Sequence, residues 1–397
     1  MAISFDISAR TTTNAARLGR VETPHGGFDT PAFMPVATAA AMKCLTVEQV
    51  RSTGSQIILN NAYHLMIRPG DERVAAMGGS HEFMRWDGPI LTDSGGYQAF
   101  SMADINSVTE EGVTFANFVN GAKVHLSPER SIQVQERIGA DIIMAFDDCP
   151  PSREEDCVNP EKRVRLKGMT HEQRLVQAID RTSRWLKRCI TAHQRSDQQA
   201  LFGIIQGGTD EALRQRSLEQ VCAFDLPGYA IGGVAVGEGP ELIESVVRFT
   251  AARMPEDKPR YLMGVGYERD IVRAVAAGVD MFDCVLPTRN GRKAYAFTRQ
   301  GPIRLKNARF AEDQGPIDPV CGCPVCAGGY SRGYLRHLFM ADEWLGQTLT
   351  SLHNLCHYQA LLLDIRRAIR DDSWSSLAPA WPVLLEQQGT TESVADS

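Results

Sequence analysis

Two aspartates stand where a carboxylate can do chemistry. Asp93 lies in LTDSGGYQAF, where Ser94, Gly95 and Gly96 predict a tight turn that exposes backbone N–H groups beside the carboxylate. Asp283 lies in MFDCVLPTRNGR, directly before a basic run. Two carboxylates from different strands suit displacement at an anomeric carbon: one attacks, the other moves protons on the leaving group. Asp147 (DIIMAFD) and Gln206 (LFGIIQG) offer acceptors and donors for the edge of a planar heterocycle, and Tyr97 or Met263 offers cover for its face. From Cys284 to Ala311 there is no acidic residue, while Arg289, Arg292, Lys293, Arg299, Arg304, Lys306 and Arg309 are all basic. Such a run beside a reacting carboxylate is an electrostatic footprint for phosphates. The net charge of −6 taken alone argues against a nucleic-acid partner, but its distribution argues for one at this place. These residues point to an enzyme acting on a glycosidic or N-glycosidic bond in a phosphate-rich substrate.

A second constellation is Cys321-Gly-Cys323-Pro-Val-Cys326. Thiols so closely spaced wrap a backbone turn around one ion, and tetrahedral zinc needs a fourth ligand. His337, His353 and His357 are candidates. With all four positions filled by protein, the zinc is expected to be structural, one per chain, and not to activate water. The other seven cysteines (Cys44, Cys149, Cys157, Cys189, Cys222, Cys284 and Cys356) are scattered. They form no disulfide framework, and most are expected to be small buried side chains.

Eight short apolar runs must position these residues: Ala32–Thr38, Gln56–Asn61, Pro89–Asp93, Asp141–Asp147, Leu201–Gly207, Gly228–Gly233, Tyr261–Gly266 and Asp280–Leu286. Runs of this length, bounded by Gly, Asp or Asn, predict strands buried on both faces. Helix-like stretches follow most of them. Eight parallel strands alternating with helices make an α/β fold, the (β/α)8 TIM barrel, whose site is built at the C-terminal ends of the strands. Asn61, Asp93, Asp147, Gln206, Gly233, Gly264 and Asp283 should therefore face one mouth. The chain of 397 residues exceeds the roughly 250 of a simple barrel. The expected division is a lead-in over 1–31, a catalytic barrel over 32–310, a zinc-binding helical subdomain over 311–375 and a frayed tail over 376–397. Inside the barrel segment, VTFANFVNGAKVHLS predicts a β-hairpin insertion near 108–127 around Asn120-Gly121, followed by a helix capped by Ser127. A charged, proline-bearing stretch near 149–170 predicts a long loop that enters a helix near Thr170. No apolar run approaches the roughly 20 residues of a membrane helix, and the N-terminus has no secretory apolar region, so no membrane partner and a cytoplasmic location are expected.

LTDSGGYQ, MAFDDC, FGIIQGG, AIGGVAVGEG, YLMGVG, MFDCVLPTRNGR and the CxCxxC…His pattern together resemble the tRNA-guanine transglycosylase family, also called queuine tRNA-ribosyltransferases, in its bacterial form. The resemblance runs from GGFDTPAFMPVAT to the terminal helix. It implies an irregular TIM barrel with a zinc-binding insertion, usually a homodimer. The implied reaction exchanges the wobble guanine of tRNAs for Asp, Asn, His and Tyr with a 7-deazaguanine base, without an organic cofactor. Motif by motif it implies Asp283 as the nucleophile that forms a covalent enzyme–RNA intermediate, and Asp93 as general acid/base. Asp147, Gln206 and the backbone at Gly233 resemble the groups that recognise the base. Tyr97 and Met263 resemble the faces of a sandwich around it, and Asn61 resembles a supporting asparagine of the same site. Arg289, Arg292 and Lys293 are assigned to tRNA, and Cys321, Cys323, Cys326 and His353 to zinc. Val236 and Cys149 match the bacterial pattern and favour 7-aminomethyl-7-deazaguanine as incoming base. Val234 stands where the family usually has Leu, and the segment after Cys149 is longer than in bacterial relatives. The alternatives are a queuine-using member of the family, and a non-catalytic tRNA-binding partner subunit, against which intact Asp93 and Asp283 argue.

Overall fold

The eight apolar runs form eight parallel strands closed into a barrel. The computed structural model describes residues 2–97, 107–152, 168–235 and 238–385. In chain order, the first three strands, β1 (Ser4–Arg10), β2 (Arg17–Thr23) and β3 (Gly26–Thr30), make an antiparallel sheet outside the barrel. The barrel strands are β4 (Ala32–Ala37), β5 (Ile58–Asn60), β6 (Ile90–Thr92), β10 (Ile142–Met144), β11 (Ala200–Ile205), β12 (Gly228–Ile231), β13 (Arg260–Leu262) and β14 (Met281–Cys284). β6 pairs with β10, and β14 pairs with β4 to close the ring. Between β6 and β10, strands β7 (Ser107–Val108), β8 (Val113–Ala116) and β9 (Lys123–Leu126) form the expected hairpin, widened by one short strand.

Most barrel strands are buried along their whole length, because Met34, Leu59, Leu91, Met144, Phe202, Ala230, Tyr261 and Met281 fill the interior. The opposite faces pack under the helices. These are α1 (Val47–Ser52), α2 (Ala62–Ile67), α3 (Asp71–Ala76), α4 (Gly79–Met84), α5 (Pro128–Ile138), α6 (His171–Ala192), α7 (Glu211–Cys222), α8 (Pro240–Ala251), α9 (Glu268–Ala276) and α10 (Leu286–Arg292). Their starts follow capping chemistry. Ser127 Oγ accepts the Arg130 N–H at the head of α5, and Thr170 and Gln173 form a reciprocal capping box on α6. Along α6, Leu175, Ala178, Ile179, Thr182, Trp185, Leu186 and Cys189 recur at helical spacing and form its buried face.

The lead-in is more than a leader. Its sheet packs Ala2, Ile3, Val21 and Phe28 against the same cluster that fills the barrel. It is fastened by Arg17, whose fully buried guanidinium makes a two-pronged bond to Asp280, just before β14, and also donates to the Glu256 and Lys258 carbonyls. A buried pair of this kind is costly to break, because either partner alone is left as an uncompensated charge.

Beyond the barrel lie α11 (Pro324–Ala327), α12 (Arg332–Met340) and the 27-residue α13 (Trp344–Arg370). α13 is buried on several faces because it runs between the barrel and the cysteine turn. Gln359 donates to the Phe33 carbonyl of β4, and Asn354 holds the Pro287 and Tyr295 carbonyls. α13 crosses α10 so closely that a Cβ at Gly291 would fall 2.6 Å from Ser351 Oγ. Residues 377–385, assigned above to the tail, fold back onto this helix. Trp381 is fully buried, edge-on to His357, and its indole donates to Asp364. The expectation for the scattered cysteines is corrected: among the described ones only Cys189 is buried, Cys44 is exposed, and Cys149, Cys222, Cys284 and Cys356 are half-buried. They sit at strand ends and helix edges, which the sequence runs do not distinguish from core. No described helix is long and apolar enough to cross a membrane.

Candidate active site and metal centre

Asp93 is the first residue after β6 and is almost fully buried. Asn61, just past β5, donates its side-chain amide to Asp93 Oδ2, and the Ala62 N–H donates to Oδ1 at 2.7 Å. Burial pushes the Asp93 carboxyl up to about 6. The two donors pull it down, and the charge of Asp283 pushes it further up. A carboxyl in that range is poised to give and take a proton near neutral pH.

Asp283 lies within β14 rather than at its end. Tyr261 Oη donates to its Oδ1 at 2.6 Å and the Gly264 N–H donates to the same atom at 2.9 Å. Both donors favour the ionised form against the upward push of burial. With both on Oδ1, Oδ2 is left without a donor among the described residues. Tyr261 feels the charge of Asp283 and of Asp93, so the two carboxylates share one mouth.

Asp147 sits three residues beyond β10. Gln206, the first residue after β11, donates its amide to Asp147 Oδ2 at 2.6 Å, and Ser94 Oγ reaches Oδ1 at 3.4 Å. Burial pushes this carboxyl up to about 7, with neighbouring Asp148 adding to the rise. Gly233 is packed against the same amide: a Cβ there would lie 2.3 Å from Gln206 Oε1, and its φ of +64° also suits glycine. Met263 is half-buried above the interior and Tyr97 is about half exposed at the rim. Val236 lies outside the described residues. Cys149 is held as a neutral thiol, pushed up to about 12 mainly by burial, which removes it as a nucleophile.

Several supporting residues escaped sequence reasoning. Asp148 is clamped by Arg174 and Arg181 of α6, and its N–H is received by Thr182. Ser131 and Gln135 of α5 hold the Ser94 and Met144 carbonyls. Arg214 of α7 is fully buried against the loops after β11 and β12. The available signal was polar residues on the apolar face of an amphipathic helix.

Cys321, Cys323 and Cys326 Sγ lie 3.8, 3.4 and 3.4 Å from His353 Nδ1. For tetrahedral zinc, with bonds of about 2.3 Å to sulfur and about 2.0 Å to nitrogen, the sulfur–nitrogen separation is about 3.5 Å. His353 Nε2 is 2.8 Å from the Phe297 carbonyl, which fixes the proton there and leaves the Nδ1 lone pair aimed at the sulfurs. The group therefore fits a metal ion. His357 instead pairs with Glu268, and His337 packs on Tyr334. A second group, His25, His81 and Asp141, lies at the opposite, N-terminal end of the barrel, where the two histidines line a cleft of about 1010 Å³ with Arg51, Trp86 and Arg137. Its two imidazoles are stacked 3.6 Å apart at 16°. Lone pairs in near-parallel planes cannot converge on one ion, so this group is a carboxylate-bridged pair that anchors β10.

In the basic run, Arg289 and Lys293 are exposed at the end of α10, Arg292 is half-buried beside them, and none of the three makes an ion pair among the described residues. α10 begins two residues after β14, which places these cations next to Asp283.

The queuine tRNA-ribosyltransferase family model matches residues 11–382. A queuine tRNA-ribosyltransferase of Cyanothece sp. is 50% identical over 378 residues, covering 95% of this chain and 95% of its own. One of Bacillus cytotoxicus is 48% identical over 371 residues, covering 94% and 93%. One of Staphylococcus aureus is 48% identical over 372 residues, covering 94% and 93%. Identity of this depth over nearly the whole length, on a barrel that gathers these aspartates at one mouth, establishes that the chain belongs to the queuine tRNA-ribosyltransferase family.

Proposed function

We propose that the protein is a tRNA-guanine transglycosylase of queuosine biosynthesis. It exchanges the wobble guanine of tRNAs for Asp, Asn, His and Tyr with 7-aminomethyl-7-deazaguanine. The observation that carries this reading is the pairing of Asp283, held by two donors on one oxygen, with Asp93, poised near 6 at the same mouth. Guanine reaches the mouth by leaving the anticodon stack. Asp283 Oδ2 attacks ribose C1′, a C1′–O bond forms, and the C1′–N9 electron pair leaves on the purine. Asp93 gives its proton to the departing base. The incoming base then yields its N9 proton to Asp93 and attacks C1′, and the ribosyl–Asp283 bond breaks with its electrons returning to the carboxylate. Two inversions give retention, and both bases use one pocket in turn. In that pocket Asp147 and Gln206 read the base edge, Tyr97 and Met263 cover its faces, and Asn61 holds Asp93. Cys321, Cys323, Cys326 and His353 hold one structural zinc.

Two further parts belong to the same reading. The choice of the aminomethyl base rests on the sequence at Val236 and Cys149. Homodimerisation is supported by an exposed stripe on the zinc unit, where Tyr330 stacks on Tyr334 and Met340 and Trp344 stand out into solvent. A cytoplasmic location belongs to the same reading and is supported by the tRNA substrate that reading assigns.

The test is exchange of labelled guanine into tRNA, followed by a denaturing gel of enzyme, tRNA and free base. Wild type should form a denaturation-resistant adduct and exchange guanine. Asp283→Asn should bind tRNA and do neither. An adduct that survives in Asp283→Asn but is lost in Asp93→Asn would exchange the two roles.

A further inference from the structure

Arg214 is a buried cation held by backbone oxygens rather than by an ion pair. Its side chain is fully buried on α7, and it makes no ion pair among those of the described residues. Burial pulls the guanidinium down only to about 10, so it stays charged at neutral pH. Backbone oxygens surround it instead. Nε donates to Gly208 O at 2.8 Å, Nη1 to Ile205 O at 3.0 Å and Gly232 O at 2.7 Å, and Nη2 to Gly233 O at 3.1 Å. All four carbonyls belong to the ends of β11 and β12 or the turns just beyond them, which also carry Gln206 and Gly233. The fit is tight, since a Cβ at Gly207 would lie 2.8 Å from the Arg214 N–H nitrogen.

The direction of these bonds matters. In a trans peptide the C=O and N–H point opposite ways. α7 packs on the outside of the barrel wall, so carbonyls of Gly232 and Gly233 drawn toward Arg214 turn the N–H groups of Gly233 and Val234 inward. The cation also polarises both peptides and strengthens those donors. A guanine edge offers two donors, N1–H and the 2-amino group, beside one acceptor, the 6-oxo group. Asp147 supplies the acceptor for the donors. The inward N–H groups supply the missing complement.

We propose that Arg214 is the positioning residue that sets the Gly233–Val234 backbone to receive the 6-oxo group of the exchanged purine. This rests on the reading that Asp147, Gln206 and Gly233 form the base pocket. A lysine in its place carries the charge but cannot span four carbonyls, and a glutamine keeps donors without the charge.

The test uses the full-length enzyme with guanine and with 6-thioguanine. The thio base keeps N1–H and the 2-amino group but has a larger, weaker acceptor at position 6. Arg214→Lys and Arg214→Gln should raise the KM for guanine by about tenfold or more and leave the KM for tRNA nearly unchanged. They should also narrow the preference for guanine over 6-thioguanine, with the lysine variant less affected than the glutamine variant. Asp147→Asn serves as control for the pocket. If Asp147→Asn leaves guanine KM unchanged, the base-pocket reading fails. If Asp147→Asn raises it while both Arg214 variants match wild type, the Arg214 proposal fails and the pocket reading stands. Loss of cooperative melting in both Arg214 variants, or equal changes in the two KM values, would assign the residue to the fold and overturn the proposal.

Discussion

Three carboxylates share the mouth, Asp93 and Asp147 buried and Asp283 half-buried, and their surroundings separate the tasks proposed for them. Burial pushes Asp283 up, and two donors on one of its oxygens oppose that push; Asp93 is poised near 6, and Asp147 near 7. For Asp147 the position of that value has a consequence for binding. In the proposed pocket the base offers two N–H donors, and only the carboxylate form can accept both. Guanine KM should therefore rise as pH falls through about 7, by up to tenfold per unit well below it, and Asp147→Asn should lose this limb. The same shift bears on stability with the opposite preference. The folded value lies above the unfolded one near 3.9, so the protonated form is favoured by folding. The stabilisation present at low pH is lost as pH rises from about 4 to about 7. Asp147→Asn should then melt higher than wild type at pH 8, by about 2 °C or more, and gain less at pH 5. Calorimetric scans at the two pH values check this. An equal shift at both would mean that burial of charge at Asp147 is not what the substitution relieves.

At the scale of elements, the strands were the legible part. Their apolar runs name themselves because a barrel strand is buried on both faces, and their polar ends mark the mouth, which is why Asp93, Gln206 and Asn61 were found with β6, β11 and β5. Asp283 differs only in lying inside β14, where Tyr261 and Gly264 from the neighbouring strand and loop reach it. The rest was hidden for a physical reason: support residues lie on helices whose sequence period shows only that a face is buried. Arg214, Arg174 and Gln135 look like interruptions of that face until the carbonyls and carboxylates they meet are in place. The lead-in sheet was missed because β1 alternates half-buried and exposed residues and has no apolar run to announce it. The cysteine turn was legible as chemistry, but its mechanical reach was not. His353 is on α13, which also grips α10 through Asn354 and the Gly291–Ser351 crossing. Loss of the metal should therefore loosen a brace before it disturbs a reaction step. Cys323→Ser, or chelation of the metal, should lower the melting temperature and the zinc content, close to one per chain in the wild type, ahead of any change in kcat per folded molecule. Full activity and unchanged melting in metal-free protein would remove the structural role.

At the scale of the molecule, charge is sorted rather than balanced. The chain carries a net charge of −6, yet much of its surface positive charge is paired: Arg184 with Glu110, Arg188 with Glu129, Arg216 with Asp180. Around the mouth the pairing lapses. Arg289 and Lys293 stand exposed at the end of the helix that follows Asp283, the proposed nucleophile, in a stretch with no acidic residue from Cys284 to Ala311. An acidic body repels a polyanion everywhere except where such cations gather, so one patch can both attract the substrate and orient it. Phosphates held there displace counterions, and the number displaced sets how steeply binding weakens with salt. Arg289→Glu and Lys293→Glu should each raise the KM for tRNA and lower the slope of log affinity against log salt by about one or more. The KM for free guanine should stay within about twofold, because the proposed base pocket lies at the ends of β10, β11 and β12 rather than on α10. Binding measured over a series from 50 to 300 mM salt, on the order used for such slopes, separates the cases. A variant whose salt slope and tRNA affinity equal those of wild type would show that the run is a solvated face and that the anticodon arm is held elsewhere.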